Sequence, residues 1–194
     1  RRVGDRDTLR YVLAVSLALY GPSDDFTNRL AEATELAELA TQAHDLESLA
    51  VARRWRTILL FQISDAAGAV AEQRAFDQVV AKLRQPTWSW WSSILDVFFL
   101  CVGGRLEDAQ RAIAKAEDIA RPVMPWGAMA YGVGARLYLW LETGEDDVWV
   151  DQYRTMFSLH PDPLAVTPLV RAECELGNLD AAREILARLD LRAL

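Results

Sequence analysis

The chain has 194 residues, 52% hydrophobic and 25% charged, which supplies enough apolar material for one packed domain or a run of repeats. Its 21 basic and 28 acidic side chains leave a formal charge of −7, the wrong sign for neutralising phosphates, so nucleic-acid binding by this segment is not expected. No run of about 18 apolar residues occurs that could span a membrane, and two cysteines without a secretory signal point to a reducing, cytoplasmic setting.

The chain opens on Arg1-Arg2-Val3-Gly4, without an initiator Met, and reads as a fragment of a longer protein. Breaks then recur at Gly21-Pro22, Pro86, Gly103-Gly104, Pro122, Pro125, Gly144, Pro161, Pro163 and Gly177. The segments between them are rich in Ala, Leu, Arg and Glu, and none shows the strict alternation of a half-buried strand. This punctuation predicts ten helices, near 8–20, 25–42, 45–62, 65–84, 88–102, 105–121, 124–143, 146–159, 164–176 and 179–190. Links this short make neighbouring helices antiparallel, giving hairpins near 8–42, 45–84, 88–121, 124–159 and 164–190 within a single domain over 1–194. Ser64, ahead of Asp65, is the expected cap of the fourth helix, and Thr87, after Pro86, that of the fifth. Pro168 either kinks the ninth helix or, with Thr167 as cap, opens it late.

Self-similarity sets the fold class. Gly104-Arg105-Leu106-Glu107-Asp108-Ala109 and Gly177-Asn178-Leu179-Asp180-Ala181-Ala182 share one pattern, separated by the length of two hairpins. The stripe Leu106, Ala109, Ile113, Ala116 matches Leu179, Ala182, Leu186, Leu189, at spacings that hold four side chains on one helix face. A shift of about 40 residues, a period found in helical repeats, extends the register in both directions. It reaches Ala66, Ala69, Gln73, Phe76, then Phe26, Arg29, Ala33, Leu36, and forward to Asp146, Trp149, Tyr153, Met156. Gln73, Arg29 and Asp146 break the apolar pattern. The expected fold is therefore all-α: a right-handed stack of about five antiparallel helical hairpins, a tetratricopeptide-like α-solenoid.

Gly177-Asn178-Leu179-Asp180-Ala181-Ala182-Arg183-Glu184-Ile185-Leu186 resembles the start of the second helix of a tetratricopeptide repeat, although the period here is longer than in that repeat. A closer likeness covers residues 5 to about 121. It includes Asp5-Arg6-Asp7-Thr8-Leu9, Leu19-Tyr20-Gly21-Pro22, Arg29-Leu30-Ala31-Glu32-Ala33, Ala52-Arg53-Arg54-Trp55-Arg56, Leu83-Arg84-Gln85-Pro86 with Trp90-Trp91, and Gly104 to Ala109. In that order these segments resemble the helical-repeat region of large bacterial, chiefly actinobacterial, modular regulators, of the LuxR type or with a bacterial transcriptional activator domain. The resemblance implies a sensor or scaffold that restrains a signalling ATPase until a ligand or partner binds. No catalytic residue carries over, because the likeness lies in the repeats.

No Gly-x-x-x-x-Gly-Lys-Ser/Thr phosphate cradle occurs. His44 and His160, both at expected helix ends, read as surface or capping residues, and no metal site or cofactor is expected. Cys101 and Cys174 each precede a repeat glycine by the same interval, so they occupy equivalent positions too distant to bridge and read as small buried residues. The basic cluster Arg53-Arg54-Trp55-Arg56 reads as a solvated helix face. Trp90, Trp91 and Tyr131 read either as packing between units or as an aromatic wall for a peptide or apolar ligand. Arg56, Asp96 and Arg136 share one repeat position in three successive first helices, as either an ion-pair ladder or a polar ligand contact. These six are the candidate partner- or ligand-binding residues; no catalytic residue is nominated. The composite expectation is a non-catalytic protein-interaction or sensor module of a bacterial regulator, partnered by other domains or another protein. A small-molecule sensor responding to an inducer is the alternative, and an enzyme comes third.

Overall fold

The computed structural model describes residues 5–19, 25–144, 148–159 and 163–187. Among them are ten helices and no strand: α1 (Arg6–Leu19), α2 (Phe26–Gln42), α3 (Leu46–Gln62), α4 (Ala66–Leu83), α5 (Pro86–Val102), α6 (Leu106–Ala120), α7 (Pro125–Thr143), α8 (Val148–Leu159), α9 (Pro163–Glu175) and α10 (Leu179–Ala187). Each expected helix is present among the described residues, with its described ends within two residues of expectation; the expected ends at 20, 146 and 190 lie outside the described residues. No described helix is long and apolar enough to cross a membrane. The chain divides into two compact units, 1–95 and 96–194, with the boundary inside α5.

In the first unit α2 packs on α1 and α3, α3 on α4, and α1 also touches α3. Its core joins Leu13 and Leu17 to Ala33, Leu36, Ala52 and Leu59, and continues through Ala50, Phe76, Val79, Val80 and Leu95. In the second unit each helix from α6 to α10 packs on the next, and α7 also touches α9. There Val97, Ala109, Ile113 and Leu139 form one cluster, and Val133, Leu137, Trp140, Tyr153, Phe157 and Leu169 belong to another. The pairs α1 with α3 and α7 with α9 thus meet each other as well as the even helix between them, which one narrow apolar stripe per helix could not achieve.

Local chemistry explains the starts and stops. Asp5, Asp25, Asp45 and Asp65 recur at half the repeat period, and each accepts a hydrogen bond from a first-turn N–H at 2.9–3.2 Å. The carboxylate of Asp45 also takes the Ser48 hydroxyl and Arg10. Burial pushes its carboxyl up, and these contacts together outweigh that and hold it below the usual carboxylate range. Ser64 is not the cap of α4. It lies one residue before Asp65 at φ 66°, its N–H donating to the Phe61 carbonyl, and so closes α3. Thr87 is likewise inside α5, whose first-turn N–H groups of Trp88 and Ser89 donate to the Gln85 carbonyl. Pro168 lies within α9, which opens earlier, at Pro163.

The repeat period appears in the backbone itself. Ser64, Gly104 and Gly144, each one period after the last, all take the left-handed conformation, at φ 66°, 68° and 70°. Gly177, the counterpart of Gly104 in the sequence repeat, takes it too. His44 and Arg84, again one period apart, end α2 and α4 the same way. The apolar stripe holds with these turns: Ala33, Ile113 and Tyr153 are buried at its third position, as are Leu36, Phe76 and Ala116 at its fourth. Two of its polar exceptions are buried as well. Arg29 donates to the Leu17 carbonyl with its guanidinium 5.3 Å from the Trp55 ring, and Gln73 donates to Asp77 at 3.0 Å. Asp146 and Leu189 fall outside the described residues.

Candidate functional site

The cluster Arg53 to Arg56 is not a solvated face. Arg53 and Arg56 converge on Glu72 of α4 with N···O separations of 2.8 Å, and Arg56 also bonds Thr34 of α2. Arg54 places its guanidinium 4.1 Å from the Trp91 ring centroid and 5.3 Å from that of Trp55. A helix turned with three arginines toward neighbouring helices must neutralise and stack them, and Glu72 with the two indoles does so. Burial raises the Glu72 carboxyl, but the hydrogen bonds from Arg56 and Arg53 outweigh it and hold the group below the usual carboxylate range.

In the second unit Arg136 takes a matching place. It pairs with Glu117 of α6, one contact being 2.8 Å, and lies 4.7 Å from the Trp149 ring of α8. Arg56 and Arg136, two periods apart, therefore each join the even helix before them to the even helix after. Gly132 makes this possible: a Cβ there would overlap the Glu117 carboxylate. Farther along, Arg154 of α8 holds Glu173 of α9 at 2.6 and 2.7 Å, and Asn178 adds a third bond. With a side chain only 2% exposed, Glu173 is kept ionised chiefly by the Arg154 hydrogen bonds, which outweigh its burial.

The aromatic candidates separate by burial. Trp90 is 1% exposed, tilted against Trp91 with centroids 4.7 Å apart, so it packs in the first unit and presents no wall to solvent. Trp91 is half-buried beneath Arg54. Tyr131, in the second unit, is exposed, as is the Asp96 residue of α5. Sequence reasoning missed Phe98, Val102 and Tyr138, which are exposed on α5 and α7. Phe98 and Tyr138 are related by the same shift as Trp91 and Tyr131, so that shift alone could have found them.

No protein-family model matches the chain, and no curated protein is significantly similar to it. The remaining candidates are placed by geometry alone. Cys101 and Cys174 are both free thiols. Cys101 is half-buried, and burial, with Glu142 adding to it, pushes its thiol up. Cys174 is exposed, contrary to the expected burial, because α9 turns Val166, Leu169, Ala172 and Glu173 inward instead. His44 is an exposed residue in the turn after α2, and His160 lies outside the described residues.

Proposed function

We propose that the chain is a non-catalytic interaction and sensor module of a bacterial transcriptional or signalling regulator. It is a right-handed, tetratricopeptide-like stack of about five antiparallel hairpins, acting in the cytoplasm on other domains of the regulator or on a partner protein. The contacts α1 with α3 and α7 with α9, and left-handed turns at a constant period, support the stack. The observation that carries the function is the exposed apolar face of the second unit, where Phe98, Tyr131 and Tyr138 stand 43–52% exposed on odd helices. Exposed aromatics at repeated positions suit a partner surface, since such anchors dominate binding energy. Switching would act by shifting how this face packs against the neighbouring domain.

Calorimetric titration of the chain into the regulator's ATPase core tests this. Phe98→Ala with Tyr138→Ala should weaken binding by about tenfold or more, as loss of anchor residues does, with the melting temperature preserved. Undiminished affinity would remove the reading. For the alternative, a small-molecule pocket, Trp90 is consumed by packing, which leaves Trp91 and Tyr131. A melting temperature that rises with an added inducer would favour that alternative.

A further inference from the structure

In the second unit the C-terminal half of α5 lies beside α7. Val97, Leu100 and Cys101 pack with Ala135 and Leu139, which sets the two helices side by side. Phe98 and Tyr138 hold one register position on them, and Val102 and Glu142 follow one turn later on the same sides. All four are exposed. Both helices lie between other described helices in the chain.

Charge at this face is one-sided. Burial and then the charge of Glu142 push the Cys101 thiol up, which places that carboxylate beside the end of α5. Arg171 of α9 stands 3.9 Å from Glu142 and 4.0 Å from Glu175, so one guanidinium is shared by two carboxylates at the outer limit of an ion pair. All three side chains are more than half exposed. Glu142 and Glu175 also occupy the last turns of α7 and α9, where the helix carbonyls concentrate negative charge and a cation is favoured. Neither of those turns, nor the last turn of α5, carries a basic residue. Elsewhere in the unit charge closes locally: Arg105, Arg121, Arg154 and Arg183 each pair with an aspartate three positions away.

We infer that the partner segment seated on this face is a basic amphipathic one. Its apolar side chains lie against Phe98, Val102 and Tyr138, and its Lys or Arg groups reach Glu142 and Glu175. The inference rests on the reading of this face as a partner surface, and the occupant is argued from charge complementarity. Carboxylates rimming exposed aromatics attract a cation, which the tyrosine ring can also hold. The same carboxylates repel anionic lipid and nucleic-acid phosphate.

Calorimetric titration of two synthetic peptides into the chain tests it: a Leu/Lys amphipathic helix, and its counterpart with each Lys replaced by Glu. The Lys peptide should bind, and the Glu peptide should bind at least about tenfold more weakly. Phe98→Ala with Tyr138→Ala should weaken the Lys peptide by about tenfold. Glu142→Gln with Glu175→Gln should weaken it by about threefold or more, with the melting temperature retained, since both carboxylates are exposed and oppose their helix dipoles. Glu38→Gln, at an exposed site on α2 in the first unit, alters net charge without touching this face and should leave affinity unchanged. A Lys peptide that does not bind overturns the inference, as does a loss on Glu38→Gln as large as that of the Glu142 and Glu175 pair. Equal affinity for the two peptides, both weakened by Phe98→Ala with Tyr138→Ala, overturns the basic partner and leaves the face as a partner surface. Peptide binding indifferent to Phe98 and Tyr138 also overturns the inference, and titration with the ATPase core then judges the partner surface separately.

Discussion

The two units solve the same local problems with different residues. The first, 1–95, opens helices with aspartates at 5, 25, 45 and 65 and closes them with His44, Ser64 and Arg84 in the left-handed conformation. The second, 96–194, opens α6 and α7 without a side-chain cap and turns on Gly104, Gly144 and Gly177. Their surfaces differ in the same direction. Residues 1–95 carry 11 basic and 12 acidic side chains, residues 96–194 carry 10 and 16. Among described residues the first unit exposes four large hydrophobics and the second twelve. The first unit thus has nearly balanced charge and a mostly polar described surface, while the second is more acidic and exposes more large hydrophobics.

The largest effects should come from the cores. Phe76→Ala in the first unit and Ile113→Ala in the second remove fully or almost fully buried side chains, and each should cost about 2–5 kcal/mol in urea unfolding. Unchanged stability for either would mean that its helix face does not pack as described.

Next come the ion pairs, where the units should diverge. Arg154→Ala strands the buried Glu173 carboxylate with only Asn178 beside it, and should cost about 3 kcal/mol. Arg53→Ala leaves Arg56 on Glu72 and should cost less than half as much. Equal losses would show that the doubled clamp of the first unit offers no redundancy. Acid titration probes the same groups. Both Glu72 and Glu173 are held below their unfolded values, so their stabilisation is complete above the ordinary carboxylate range and lost as pH falls through the lower folded values. Glu72→Gln and Glu173→Gln should each flatten that acid limb of the stability curve. A limb left unchanged would place the acid sensitivity in other carboxylates.

Helix positions were legible in the sequence because Pro and Gly breaks and the repeating stripe are local signals. The regularly spaced aspartates are equally local, and Ser64 and Thr87 look like caps only while that spacing goes unnoticed. The ion-pair partners were not legible. Arg56 shares a repeat position with Asp96 and Arg136, which suggested a ladder along odd helices. Its guanidinium reaches Thr34 and Glu72, and Arg136 reaches Glu117, partners on even helices that the shared position did not suggest. The direction in which an arginine leaves its helix depends on packing angles that spacing does not encode. The exposure of Cys174 escaped for a related reason: its equivalence to Cys101 fixed a position on the helix, while burial depends on what lies opposite.

The smallest expected effect is the most direct test of how the units differ. Ser64 and Gly104 occupy the same turn one repeat apart, at φ 66° and 68°. A side chain in that conformation costs roughly 1–2 kcal/mol, against a loss of about 0.5–1 kcal/mol for the greater freedom of glycine in the unfolded chain. Ser64→Gly should therefore raise stability by about 0.5–1 kcal/mol, and Gly104→Ala should lower it by a similar amount, both read from the urea midpoint. The space around Gly104 is open, so no clash would confuse the result. Opposite signs of similar size would show that the turn is one backbone solution used in both units, with residue choice adjusting only its cost. If Ser64→Gly were destabilising, the serine would be contributing a contact of its own, and the two turns would be alike in φ but not in origin.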